Sequence, residues 1–261
     1  MSARRIALFG GVYGNRPALE AALADARAKD AEAVYFLGDV GGFGPHPDTA
    51  AKLLCDARVT CIQGNYDAAV AVGADDCGCG YSDRRDVRFA HIAYVYTLGH
   101  SSSEHRRWLG SLPPLGRITL GDRRLLLCHG SPRQVNEFLW ETTTPTGLLE
   151  RFCDGQGVDA LCFTHTGLTW HRALPSGRHA INVGVLGRPA NDGLPRVWYT
   201  LLTAGPELTV EFVPVVYDHE SVARDVERAG LPPEFAETIR TGWWTTCLER
   251  MPVKERARGR Y

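Results

Sequence analysis

Three short apolar runs, each closed by a glycine-containing polar turn and followed by a helical pattern, constrain this chain more than any other feature. Residues 5–9 (RIALF) end in Gly10-Gly11, and an Ala/Leu-rich helical pattern then runs over 17–28. Residues 33–37 end in Gly38-Asp39, and after the loop GGFGPHP a helix is predicted over 48–56. Residues 59–63 end in Gly64-Asn65-Tyr66-Asp67. Strands alternating with helices pair as parallel βαβ units, and ligands of such sheets bind at the carboxyl ends of strands. All three polar turns fall at such ends.

Residues 68–114 change character: a Gly/Asp/Cys-rich loop leads into two predicted helices, 86–97 and 103–112, which together read as a cap over the sheet edge. Strand-like segments follow at 117–120, 124–128, 160–163, 169–174, 179–183, 196–203 and 208–215, and turn signals such as Gly121-Asp122 make this half read as a mainly antiparallel sheet. From about Asp218 the pattern is helical and charged, ending in a basic tail, KERARGRY, expected to fray. The expected organisation is therefore one α/β domain over 1–216, with its cap, and a helical extension over 217–261.

Charge and hydropathy exclude some partners. With 29 basic against 30 acidic residues the net charge is −1, so no global field draws in a nucleic-acid polymer or an anionic membrane. The first residues, MSARRIALFGG, are too short in apolar length for a signal-peptide core, and no stretch approaches the ~20 apolar residues of a membrane span. A cytoplasmic protein is the expectation, with its 8 cysteines mostly reduced. Cys55, Cys61, Cys128, Cys153 and Cys162 sit in or beside apolar runs and read as core residues, whereas Cys77 and Cys79 do not.

Polar turns close four strands: Gly38-Asp39, Gly64-Asn65-Tyr66-Asp67, His129-Gly130-Ser131-Pro132 and Thr164-His165-Thr166. One carboxylate, one amide oxygen and two imidazoles are a donor set that Mn, Fe, Zn or Ni divalent ions accept. Taken singly, each motif reads more readily as a turn residue or a satisfied polar group than as a ligand; their order and shared context reverse that preference.

The order of these turns resembles the calcineurin-like metallophosphoesterase family, in particular its small bacterial phosphodiesterase branch. That branch carries Asp-x-His-Gly-Asn, Gly-Asp-x-x-Gly, Gly-Asn-His-Asp, His-Gly-Ser-Pro and Gly-His-Thr-His. YGNRPALEAAL resembles its first loop and helix, FLGDVGGFGPHP its second loop, INVGVLGRP its Asn-Pro-Gly-Ser-Val-Gly segment, and VVYDHESVARDVERAGLPPEF its C-terminal helix. The resemblance spans about residues 5–242 and is weakest over 68–102. It implies a two-sheet βαβ sandwich flanked by helices, with two metal ions bridged by an aspartate. Carried over by position, the bridging aspartate is Asp39, and Asn65, His129 and His165 complete the set for one ion. The ligands exclusive to the other ion are replaced by Gly11, Tyr13 and Gly167, and the family's catalytic histidine by Tyr66, with Asp67 retained beside it.

One divalent transition metal ion per chain is therefore expected, with a second in doubt. A single ion acts as a Lewis acid but cannot clamp both attacking and leaving oxygens of a phosphoryl transfer. The expected function is a metal-dependent phosphoesterase-like protein that acts on or binds a small phosphorylated molecule; the alternative is a catalytically silent fold that binds a metal or phosphometabolite. Tyr13 either coordinates as a phenolate or packs over the cavity. Cys77 and Cys79 are either thiolate ligands, a redox pair or ordinary loop cysteines, and His171, six residues beyond His165, is undecided. Asn15 and Arg133 are candidate substrate contacts. Phe138, Trp140 and Trp170 are placed near the cavity mouth, as rim or core aromatics.

Overall fold

Period-two alternation along the strands decides the layering in the computed structural model, which describes residues 3–257. The first half contributes β1 (Arg5–Phe9), α1 (Arg16–Ala28), β2 (Ala33–Phe36), α2 (Pro47–Asp56), β3 (Thr60–Cys61), α3 (Asn65–Val72), α4 (Arg84–Gly99) and α5 (Ser103–Ser111). The second contributes β4 (Leu115–Leu120), β5 (Arg123–Cys128), α6 (Thr146–Gln156), β6 (Ala160–Phe163), β7 (Trp170–Ala173), β8 (His179–Asn182), β9 (Val197–Thr203) and β10 (Thr209–Val215). Helices α7 (His219–Arg228), α8 (Pro233–Thr241) and α9 (Val253–Ala257) close the chain. Among the described residues the strands form two five-stranded sheets, ordered β10-β9-β1-β2-β3 and β4-β5-β6-β8-β7.

Ile6 and Leu8 of β1 point between the sheets, where they meet Leu125 and Leu127 of β5, Cys162 of β6, Ile181 of β8 and Leu202 of β9. Their strand neighbours Ala7 and Phe9 point the other way, onto Ala18, Leu19 and Ala22 of α1. On the far side of the second sheet, Leu126 and Cys128 of β5 and Leu161 and Phe163 of β6 are covered by Leu149 and Cys153 of α6. Both sheets are thus apolar on both faces in their centres, which is why these strands read as continuous rather than alternating apolar runs. Side chains at helix starts accept the free backbone N–H groups: Asp83 from Arg85 and Asp86 at α4, and Ser102 from His105 at α5.

The expectation of a mainly antiparallel second half is corrected. β5, β6 and β8 run parallel, and only β4 and β7 flank them antiparallel; β9 and β10 cross to the first sheet, where β9 pairs antiparallel with β1. The crossover from β5 to β6 is α6, a helix that Gly147 and Gly155 hid by interrupting its apolar stripe. The C-terminal reading also changes: α8 stops at Gly242, whose φ is 75°, and an irregular segment over 243–252 follows it. Residues 254–257 of the tail expected to fray lie in α9, with Glu255 buried, and 258–261 lie outside the described residues. No helix of the described residues is long and apolar enough to cross a membrane.

Cys77 and Cys79 are joined to each other by a disulfide, so the thiolate pair of the sequence reading is absent in this state. Cys55 is exposed on α2, contrary to its expected place in the core, while Cys61, Cys128, Cys153, Cys162 and Cys247 are buried. Burial pushes the Cys153 and Cys247 thiols up to about 11, which makes them poor nucleophiles at neutral pH. Thiol titration in denaturant should therefore find the six free cysteines before reduction and all 8 after it. Eight titratable thiols without a reductant would refute the Cys77–Cys79 bond.

Candidate metal centre

The turns after β2, β3, β5 and β6 converge at one end of the two sheets. The first two are in backbone contact: a Cβ added at Gly64 would sit 2.5 Å from the Asp39 nitrogen and 2.2 Å from Asp39 Oδ1, so only glycine permits this approach. Asp67 straps them together. One of its carboxylate oxygens accepts from the backbone N–H of Asp39 (2.8 Å) and Gly64 (2.9 Å), and the other from Val40 (2.9 Å). Asp39 itself adopts a left-handed conformation, φ 68°, open to aspartate at modest cost, and the strap holds it there. Burial and the neighbouring Asp39 charge push the Asp67 carboxyl up to about 6 despite those three donors.

Asp39 Oδ1 accepts from the Tyr66 backbone N–H (3.0 Å), leaving Oδ2 3.1 Å from His129 Nε2. His129 Nδ1 lies 2.6 Å from the Leu37 carbonyl, a contact that fixes its proton on Nδ1 and leaves Nε2 with a free lone pair. His165, also at a positive φ of 64°, places Nδ1 3.2 Å from His129 Nε2. Donor atoms of Asp39, His129 and His165 all lie within 4.8 Å of one another. Burial and the adjacent His129 push the His165 imidazole down to about 3, so it is neutral at pH 7, the form that ligates. Burial also opposes a charge on His129, but the Asp39 carboxylate and the Leu37 carbonyl outweigh it and raise that ring above its ordinary value.

Asn65 is a further candidate by chemistry. Its Nδ2 donates to the Cys77 carbonyl (2.7 Å), which fixes the amide, while its Oδ1 is buried without a hydrogen-bond partner. An orphaned buried carbonyl oxygen costs about 1–3 kcal/mol, and a cation beside it removes that cost. The residues present therefore fit one divalent ion: a carboxylate, two imidazoles with available lone pairs, and an oxygen lacking a donor.

Aromatic rings pack around the three positions that differ from the family's pattern, Gly11, Tyr13 and Gly167. The Tyr13 ring lies in a slot where Gly11, Gly42 and Gly187 carry no side chain; a Cβ on any of the three would come within 2.8 Å of it. Burial and the Asp39 carboxylate raise its phenol above the ordinary value, which favours the packed neutral ring. The Trp244 ring covers Gly167, 3.2 Å from where a Cβ would stand. Trp244 is pinned by its indole N–H to the Pro189 carbonyl (2.6 Å) and its backbone N–H to Asn191 Oδ1 (2.8 Å). Arg188 stacks on it, with the guanidinium carbon 3.9 Å from the ring centroid.

The remaining candidates make the following contacts. Tyr66 donates its hydroxyl to the Ala90 carbonyl of α4 and packs edge-on to Tyr94, which turns it from the donor cluster. Asp67 accepts the three backbone N–H groups of the strap. Asn15, buried, caps α1 through Ala18 and donates to the Leu186 carbonyl. Arg133 is paired with Glu137 on the surface, and His171 is 3.0 Å from His179 between β7 and β8. Phe138 packs 4.5 Å from the His165 ring and Trp140 stacks on Phe138, whereas Trp170 is buried under β6. Residues that the sequence reading missed are Arg188, Trp244 and Asp86, whose carboxylate accepts from the Cys247 and Glu249 N–H groups and ties the C-terminal segment to α4. The signal was present in the apolar stretch GWW inside a segment read as charged helix.

Comparison with known proteins agrees with this architecture. Residues 5–202 match the family model of the calcineurin-like phosphoesterase superfamily domain. A metallophosphoesterase from Sphaerobacter thermophilus superposes with a TM-score of 0.71 at 26% identity, covering 92% of this chain and 100% of that one. A hypothetical protein from Pyrococcus horikoshii OT3 shares the fold with a TM-score of 0.76 at 23% identity over 91% of this chain and 98% of its own. An uncharacterized protein of Methanocaldococcus jannaschii is 23% identical over 248 residues, 91% of this chain and 98% of that protein. With its family model spanning both sheets and its polar turns gathered at their shared end, the chain belongs to the calcineurin-like phosphoesterase superfamily.

Proposed function

We propose that this protein is a single-metal phosphoesterase-type protein that binds a small phosphorylated molecule and hydrolyses only activated esters. Asp39, Asn65, His129 and His165 hold one divalent transition metal ion, Mn, Fe, Zn or Ni. The observation that carries this reading is the clustering of the Asp39, His129 and His165 donors within 4.8 Å, beside a turn whose Asn65 Oδ1 is buried and unpartnered. When bound, such an ion polarises a phosphoryl oxygen as a Lewis acid. The chain's own residues then set the limits. His129 is oriented by Leu37, Asp39 by Asp67 and Tyr66, and the Tyr13 and Trp244 rings narrow the opposite half to a small cavity. With the Tyr66 hydroxyl engaged by Ala90, it is not poised to protonate a leaving oxygen. That observation favours the silent-binder reading for unactivated alkyl esters.

Elemental analysis of metal-reconstituted protein should find close to one transition metal ion per chain, and His129→Ala or Asp39→Ala close to none. Loss of one ligand from a four-ligand site should weaken binding more than the roughly 10–100-fold seen when a ligand's supporting partner is lost. Two tightly held ions in the wild type, or unchanged metal content in both variants, would overturn the proposal.

A further inference from the structure

Arg188 is a buried cation, 6% exposed, with no carboxylate within ion-pair distance among the described residues. Its guanidinium makes one hydrogen bond, to the Thr246 carbonyl (2.5 Å), and lies between the rings of Trp244 (3.9 Å) and Phe43 (4.9 Å). Arginine stays protonated in such surroundings, and a buried unpaired charge is costly. The stacking on two rings returns part of that cost, but a guanidinium has five N–H donors and most of these have no protein acceptor. Asp86 is the carboxylate within electrostatic reach, and it is engaged by the Cys247 and Glu249 N–H groups.

Arg188 and His165 line the same cavity of about 30 Å³, whose walls include Tyr13, Trp140, Trp244 and Arg250. At roughly 10–15 Å³ per water, the space holds about two waters, or two of the oxygens of an oxyanion that displaces them. A dianionic phosphoryl group is attracted to the guanidinium more strongly than a monoanionic diester and offers it more free oxygens. A guanidinium thus lines the same small cavity as His165, Tyr13 and Gly167, on the side of the positions that differ from the family's pattern.

We propose that Arg188 takes the place of the missing positive charge, and that the cavity between Arg188 and His165 binds a terminal phosphoryl dianion, either free phosphate or the phosphoryl group of a small monoester, in preference to a diester. This rests on the single-metal reading for the second positive charge, but not for Arg188 itself, which the chain holds in place with or without an ion.

The test measures binding of inorganic phosphate, phenyl phosphate and dimethyl phosphate by calorimetry, to wild type and Arg188→Met, each metal-reconstituted and metal-free, with metal content determined on the same samples. Arg188→Met keeps an unbranched stem reaching about as far as the arginine Nε and removes the charge. Phosphate affinity should fall about thirty-fold or more in Arg188→Met, as expected for loss of a charge-assisted hydrogen bond in a buried site, while metal content stays the same. Dimethyl phosphate should bind neither protein. Phenyl phosphate binding tighter than phosphate assigns the cavity to a monoester, and the reverse order to free phosphate. Phosphate affinity unchanged in Arg188→Met, or dimethyl phosphate binding as tightly as phosphate, would overturn the proposal. Absent metal uptake with Arg188-dependent phosphate binding would instead sink the metal reading alone. Should Arg188→Met not fold, the wild type decides: phosphate must raise its unfolding temperature where chloride at equal ionic strength does not, and no shift counts against the proposal.

Discussion

Gly11→Asp, Tyr13→His and Gly167→His introduced together should leave the protein with one metal ion per chain, although they restore every ligand that the family's other ion uses. The obstacle is packing. Gly167 has a φ of 81°, which a histidine adopts only with strain, and a Cβ there would stand 3.2 Å from the Trp244 ring. Gly11→Asp alone is worse, because its Cβ would lie 2.4 Å from Tyr13 Cε1, well inside contact distance, so the single variant should be less stable than the triple. Arg188 adds an electrostatic barrier, since a guanidinium lining the same cavity as His165 repels a second cation. Adding Trp244→Ala and Arg188→Gln should remove both barriers and raise metal content toward two. Hydrolysis of an alkyl phosphodiester should then rise by a factor on the order of 10²–10³, the effect of one preorganised electrostatic stabiliser. Two ions in the triple variant with Trp244 intact would show that the ring does not hold that space. One ion in the fivefold variant would show that these positions no longer superpose on a ligand geometry.

What the sequence disclosed depended on the range of the forces involved. The strand-turn-helix units were legible because a buried parallel strand needs an apolar run and its turn needs glycine, both local requirements. β1, α1, β2, α2 and the cap helices α4 and α5 accordingly lie close to their predicted spans. α6 was missed, and the mixed character of the second sheet with it, because a parallel crossover is recognised only when its helix is. The cluster of Asp39, His129 and His165 was legible for the same local reason: each follows the end of a strand, as does Asn65 at the start of α3. Arg188 and Trp244 were not, since their positions follow from a C-terminal segment folding back over the sheets and being tied to Asp86 of α4. The polar side chains Asn15, Arg133 and His171 each contact a protein neighbour: a helix cap, a carboxylate and another imidazole. Sequence alone does not separate such contacts from ligand binding, because the same atoms serve both.

Asp67→Ala should cost about 3–5 kcal/mol of stability, more than any ligand substitution in metal-free protein. The carboxylate is 1% exposed and accepts three backbone N–H groups, from Asp39, Val40 and Gly64. Alanine leaves all three buried and unpaired, each at about 1–3 kcal/mol, partly recovered if water enters. Against a total stability of roughly 5–15 kcal/mol this is a large share, and at about 2–4 °C per kcal/mol it lowers the unfolding temperature by roughly 10 °C. The comparison with His129→Ala separates this role from ligation. His129→Ala should lower the unfolding temperature mainly where metal is present, because it deletes a proposed ligand, while Asp67→Ala should lower it equally in the presence of a chelator. Metal affinity in Asp67→Ala should also fall, since Asp39 loses the bond that holds its backbone at a φ of 68° and so the orientation of its carboxylate. Asp67→Asn keeps one acceptor oxygen but turns an amide toward N–H donors, and should recover less than half of the loss. An unfolding midpoint of chelated Asp67→Ala equal to that of chelated wild type would mean that the turns after β2 and β3 are held by something other than this carboxylate.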